Sequence, residues 1–156
     1  MNIVLLEPEI PPNTGNIARL CAATRSTLHL IEPLGFEIND RQLARAGMDY
    51  WKLVTWQRWA SWKAFSVALP PSARLWMIEQ GAPRSYVEAS FQPQDYLVFG
   101  RETAGLPSGL LECYRETWLD IPMPNPSARS LNLSNCVAIV LFEALRQSGF
   151  CTALEA

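Results

Sequence analysis

IPMPNPSARSLNLSNCVAIVLFEAL, Ile121 to Leu145, is the stretch around which the rest of the chain is read. Prolines stand at alternate positions, Pro122, Pro124 and Pro126. Each fixes its own φ, lacks an N–H and pushes the preceding residue out of the α region, which predicts a stiff, extended segment outside any ladder. Ser127 to Asn135 is crowded with small polar side chains. From Val137 the residues turn apolar (Val137, Ala138, Ile139, Val140, Leu141, Phe142, Ala144, Leu145), which predicts a buried helix. The N–H groups of a helix start, around Leu131 to Ser134, therefore follow a rigid loop carrying Arg129, Ser130 and Asn132. Alone, this is either a proline-rich loop with a Ser/Asn cap or a preformed ligand loop.

Upstream, short apolar runs alternate with helical periodicity. Asn2–Leu6 (NIVLL) reads as a buried parallel strand. After EPEIPPNTGN, Pro11 and Pro12 open a helix for which Asn13, Thr14 and Asn16 offer cap oxygens, and Ile17, Leu20, Cys21 and Thr24 carry it to about Thr24. Arg19 falls opposite that apolar stripe. Further strands are expected at Leu28–Ile31, Lys52–Trp56, Leu75–Ile78, Tyr96–Phe99 and Trp118–Ile121. Helices are expected at Asp40–Ala46, Trp59–Leu69 and Pro107–Cys113. The alternation predicts one α/β domain over residues 1–156, with a mostly parallel sheet and helices on both faces. In such sheets ligands bind beyond the carboxyl ends of the strands. Trp51, Trp56, Trp59 and Trp62 are spaced as a buried face, which favours core or subunit-interface packing over a stacking platform for bases.

Composition narrows the class. The 156 residues are 49% hydrophobic and 18% charged with a net charge of −2, which argues against a general basic coat for nucleic acid. A local patch stays open, because 11 of the 13 basic residues are arginine, the side chain suited to forked phosphate contacts. No signal segment or membrane span is read, and the four cysteines show no metal-ligand spacing, so free thiols in the cytoplasm are expected. Phosphate-binding GxxxxGK[ST], dinucleotide GxGxxG and nucleophile-elbow GxSxG patterns are all missing. His29, the single histidine, sits in an apolar strand and reads as packed, which removes histidine triads.

Three strand ends carry unusual polar residues: Pro11 to Arg19, Gly100 to Leu106 (GRETAGL) and Ile121 to Ser134. Methyl transfer from a sulfonium suits them. The electrophile is already activated, so a protein mainly orients it and assists loss of a proton.

PPNTGNIARLCA, LVFGRETAGLP and IPMPNPSARSLNLSNCVAIVLFEA resemble, in order and spacing, the three motifs of the SPOUT RNA 2′-O-methyltransferases. EPEIPPNTGN, IEPLGF, RAGMDYW and SLNLSN are similar to its small TrmL (YibK-type) branch. That resemblance implies an α/β fold with a C-terminal deep trefoil knot, although chains in general do not thread loops. It also implies a homodimer, S-adenosylmethionine as methyl donor without a metal, and the ribose 2′-OH of the wobble cytidine or uridine of tRNA as acceptor. Neither membrane nor DNA is implied as a partner. Carried over by position, the catalytic residues are Asn13, Arg19, Glu102, Ser130 and Asn132. The donor pocket is lined by Ile78, Gly100, Ile121, Met123, Ser130 and Leu131. Arg25, Asp40, Arg41, Arg45 and Arg129 are candidates for a tRNA-facing surface. Two departures stand out. Arg101 and Ala104 occupy positions where many relatives have proline or serine and arginine, and PNPSARS is one residue longer than the usual loop. Another tRNA or rRNA site, or an inactive RNA-binding protein of the same fold, remain alternatives.

Overall fold

A computed structural model describes residues 1–37, 49–125 and 127–149. The expected helix at Asp40–Ala46, Arg41, Arg45, Pro126 and Cys151 lie outside the described residues. Seven strands form one sheet: β1 Asn2–Leu6, β2 Thr27–Ile31, β3 Thr55–Trp59, β4 Leu75–Ile78, β5 Arg84–Ser85, β6 Tyr96–Phe99 and β7 Trp118–Asp120. Their order is β3-β2-β1-β6-β4-β7-β5, and every pairing is parallel. The α-helices are α1 Pro11–Thr24, α2 Trp62–Ala68, α3 Ser108–Cys113 and α4 Leu133–Gln147.

Strand periodicity of two divides the core between the faces of the sheet. Ile3, Leu5, Ile78, Leu97 and Phe99 turn to one face, where they meet Ile17 and Cys21 of α1 and Val137, Val140, Leu141 and Ala144 of α4. Val4, Leu6, Leu75, Met77 and Val98 turn to the other, against Phe65 of α2 and Leu111 of α3. Both faces are covered, which is why the strands read as continuous apolar runs. Trp59, Trp62 and Leu69 pack against the second cluster, and Trp51 and Trp56 against the first. Packing, not a base platform, accounts for the tryptophans.

Several expectations need correction. The third strand is Thr55–Trp59, preceded by a 3-10 turn at Asp49–Leu53, and α2 starts only at Trp62 because Ser61 caps it by accepting from the Ala64 N–H. Trp59 thus belongs to a strand. The N-cap of α1 is Ile10, with no side-chain cap. Pro11 and Pro12 lack the N–H groups that a cap would satisfy, and this leaves the Asn13 side chain for other work. The two-residue β5 is too short to show a pattern in sequence. Finally, α4 is buried on one face only, and Phe142 on its outer side is 50% exposed.

Beyond β6 the chain doubles back tightly. Arg101 N–H donates to Gly105 O at 3.2 Å and Gly105 N–H to Arg101 O at 2.9 Å. A Cβ on Gly100 would lie 2.1 Å from the Gly105 carbonyl carbon, so only glycine fits there. We expect Gly100→Ala to cost on the order of 3 kcal/mol, read as a lower urea midpoint.

His29 is 5% exposed, among the rings of Trp59, Phe65 and Tyr96. Its Nδ1 accepts from Trp59 Nε1–H at 3.2 Å, so Nε2 carries the proton and faces Asn2 Oδ1 at 3.3 Å. Burial penalises the imidazolium and brings the pKa down from 6.5 to about 4. The unfolded chain therefore binds more protons between these values. The contribution to stability is whole above about pH 6.5 and falls as pH drops toward 4. Between pH 7 and pH 5 unfolding free energy should fall by roughly 2 kcal/mol from this group. His29→Gln should remove that part of the pH dependence in urea titrations; an unchanged slope would contradict it.

Candidate active site

In a parallel sheet all carboxyl ends point to one edge. Four neighbouring strands, β1, β6, β4 and β7, send their loops off that edge and wall a cavity of about 690 Å³. Ile10 and Asn13 follow β1, Glu79 and Gln80 follow β4, Gly100 to Gly105 follow β6, and Asp120 to Leu133 follow β7.

Hydrogen bonds tie these loops together. The Glu102 carboxylate accepts from Glu9 N–H at 2.8 Å, Ile10 N–H at 3.2 Å and Asn13 Nδ2–H at 3.1 Å. Asn13 Oδ1 accepts from Asn132 Nδ2–H at 2.9 Å. Asn132 Oδ1 in turn accepts from Ser134 N–H at 2.9 Å and Ser134 Oγ–H at 2.6 Å, as N-cap of α4. An unbroken polar chain thus links the second loop, α1 and the start of α4. Asn13 is 6% exposed, so the link is shielded and strengthened by low dielectric.

Two further carboxylates brace the same walls. Glu9 accepts from Thr103 N–H at 3.0 Å and from its hydroxyl at 2.7 Å. These bonds, the hydroxyl first, hold the Glu9 carboxyl below its ordinary value. Glu79 accepts from Leu106 N–H at 2.7 Å and Gln80 N–H at 3.1 Å, and its own N–H reaches Leu119 O at 3.1 Å. Cys136 also faces the cavity. Its thiol is pushed up to about 11, by burial first and by Glu79 next, so it is a neutral thiol at physiological pH.

Asn13, Glu102, Ser130 and Asn132 line this cavity, as do Ile78, Gly100, Ile121, Met123 and Leu131. Arg19 does not. It is exposed on α1, beside Ala22, Ala23 and Leu53, in a separate shallow depression. Glu102 is occupied by the backbone amides of Glu9 and Ile10 and by the Asn13 side chain. Arg25 and Arg129 are exposed, Arg129 at the cavity itself. Sequence reasoning did not find Glu9, Ile10, Glu79, Asp120 or Cys136. The position of Glu79 and Asp120 just at the ends of β4 and β7 is the signal that would have found them.

The lining suits a nucleoside sulfonium. Ile78, Phe99, Ile121, Leu131 and Leu133 supply apolar walls for a base, the bare backbone at Gly100 allows close approach, and Glu79 and Asp120 supply negative charge for a cation. Among the described residues no group of three or more His, Cys, Asp or Glu could hold a metal ion.

Similarity to known proteins follows the same lines. A tRNA (cytidine(34)-2′-O)-methyltransferase of Saccharophagus degradans is 51% identical over 150 residues, 96% of each chain. A solved structure concerned with the 2-OH methylation of C/U34 on tRNA has a TM-score of 0.87 at 46% identity, covering 94% of both chains. The SpoU methyltransferase AviRb of Streptomyces viridochromogenes, in complex with AdoMet, has a TM-score of 0.78 at 25% identity; the match covers 94% of this chain and 60% of AviRb. The model of the SpoU rRNA methylase family matches residues 1–142, and the chain belongs to that family.

Proposed function

We propose that this protein transfers a methyl group from S-adenosylmethionine to the ribose 2′-OH of the wobble nucleotide, cytidine or uridine 34, of tRNA. The observation that carries the reading is the single cavity walled by all three motif loops and closed by the Glu102–Asn13–Asn132 chain. The sulfonium donor supplies an electrophilic methyl group, so the protein has no nucleophile to create on itself. Ile78, Ile121, Leu131 and the backbone at Gly100 and Met123 hold the donor. Asn132 and Ser130 set the rim where the acceptor ribose enters. Glu102 is surrounded by three N–H donors and acts as a strut, not as a base.

Arg19 is the remaining element. A guanidinium is a poor base, so its task is to hold the phosphate beside the 2′-OH and favour loss of the hydroxyl proton to a phosphate oxygen or water. Its place outside the cavity of its own chain supports a homodimer in which each Arg19 serves the cavity of the other copy. The half-exposed Phe142 on α4 and Leu131 at 38% supply apolar surface for such an association. In the same reading the chain is one domain working in the cytoplasm, and the segment from Ile121 through α4 is tucked through a deep trefoil knot. Gln147 would close that end, since its amide bonds Phe91 N–H and Ala89 O.

Incubation of the protein with labelled S-adenosylmethionine and total tRNA should label tRNA, and the wobble position should become resistant to alkaline cleavage. Absence of transfer, or label elsewhere, would overturn the assignment. Glu102→Gln replaces an acceptor oxygen by an amide facing N–H donors. It should weaken donor binding on the order of ten-fold, measured by calorimetry. Arg19→Lys keeps the charge but loses the fork, and should lower kcat/KM on the order of ten-fold; a wild-type rate would refute the role given to Arg19. Mixing inactive Arg19→Ala with inactive Asn132→Ala should restore activity through dimers holding one intact cavity. Failure of mixing, with subunit exchange shown separately, would place Arg19 in its own chain's site.

A further inference from the structure

We propose that Arg101 and Arg129 form a phosphate clamp at the mouth of the cavity, taking the backbone of the RNA strand whose ribose is methylated. The inference rests on the function proposed above and adds the residues that seat its substrate.

The two side chains come from different walls. Arg101 is in the loop after β6 and Arg129 in the loop before α4, and they are the only two basic residues lining the cavity among the described residues. Three other arginines are engaged elsewhere in the fold. Arg74 pairs with Asp95, Arg58 with Glu32 and Arg84 bonds the carbonyls of Glu116 and Glu88. The cavity is also lined by Glu79, Glu102 and Asp120, so these two arginines are what its lining offers to an anion.

Arg101 is also aimed. Its Nη2 lies 2.7 Å from Glu7 Oε2, with the Arg101 side chain 41% exposed. Glu7 is at the carboxyl end of β1 with φ +53, a conformation that L side chains rarely adopt. That backbone turn is fixed by Glu7 N–H donating to Ile31 O at 2.9 Å. The base of the Arg101 side chain is fixed as well, by the two backbone hydrogen bonds between Arg101 and Gly105. One nitrogen engages Glu7, and a guanidinium has five N–H donors. The ion pair with Glu7 restrains the guanidinium beside the cavity that Arg101 lines, and its other donors are available to a phosphate fork. The apolar side chains given to the donor's base, Ile78, Ile121 and Leu131, come from other stretches of the lining.

Equilibrium binding of a synthetic anticodon stem-loop RNA by the full chain, over a series of KCl concentrations, tests the clamp. Calorimetry with S-adenosylmethionine runs in parallel. Arg101→Ala should weaken RNA binding on the order of ten-fold and reduce the slope of log K against log salt by about 0.7–0.9. Donor affinity should stay within about two-fold of wild type. Arg101→Lys should keep the slope and lose part of the affinity. Ala104 is exposed on the same loop and lines the same mouth. Adding Ala104→Arg to Arg101→Ala should therefore recover most of the affinity and the slope. Unchanged RNA affinity and slope in Arg101→Ala would overturn the clamp. So would an equal loss of donor affinity, which assigns Arg101 to the donor or to loop structure. A wild-type chain that binds neither donor nor RNA would defeat the proposed function itself, an outcome distinct from both.

Discussion

The carboxylate of Glu102 is the constraint on which the site depends. It needs donors, and it finds two backbone N–H groups of the segment after β1 and the side-chain amide of Asn13. Those amides have the complementary need. Glu9 and Ile10 precede the first turn of α1, so their N–H groups lie outside the helix's own hydrogen-bond ladder and need an acceptor from elsewhere in the chain. One carboxylate answers both demands, and charge-assisted bonds of this kind are stronger than neutral ones. Asn13 then passes the connection to Asn132, which caps α4. Asn13 is thereby tied to partners 89 and 119 residues away in sequence, and three segments are held in one arrangement.

The sheet makes this arrangement possible. With all seven strands parallel, successive loops leave by the same edge, and the order β1-β6-β4-β7 sets four of them side by side. Burial of alternate strand residues under α1 and α4 on one face and α2 and α3 on the other fixes the register. A one-residue slip would turn Ile3 and Leu5 away from their helices and move Gly100 from its contact with Gly105. Rigid strand ends therefore do for the loops what the loops do for the cavity.

Most of the strand framework was legible because buried parallel strands are continuous apolar runs ended by Pro, Gly or an acidic residue. NIVLL, LWMI and YLVF needed no tertiary information. The third strand was misplaced because Lys52 to Trp59 has no clear period: its strand faces solvent on one side and Trp59 serves as a strand residue packed on His29. In the site, Asn13, Glu102 and Asn132 were legible as types but not as a set, since sequence shows polar residues at strand ends and not which acceptor meets which donor. In sequence Asn13 reads as a cap oxygen and, by resemblance, as a catalytic residue; in the structure its amide is the middle of a relay. Glu9 and Glu79 were invisible because their role is to accept backbone N–H groups, and those leave no mark in residue identity.

The division of labour in the cavity follows from its chemistry. A reaction with an activated electrophile places its demand on orientation, and orientation is what backbone bonded to carboxylates provides at little cost on binding, because the bonds are made before any ligand arrives. Glu102 and Glu79 are both engaged by N–H donors. Cys136 is kept as a neutral thiol by burial and by Glu79, so it does not compete as a nucleophile. In the proposed function the negative charge of the nucleic acid is left to arginines at the rim and on α1. Arg101 and Arg129 reach the cavity from its own walls, while Arg19 lies on a face of α1 that does not open into it. One chain thus holds a pocket that Arg19 does not line, and it is on this separation that the proposed exchange of Arg19 between two copies rests.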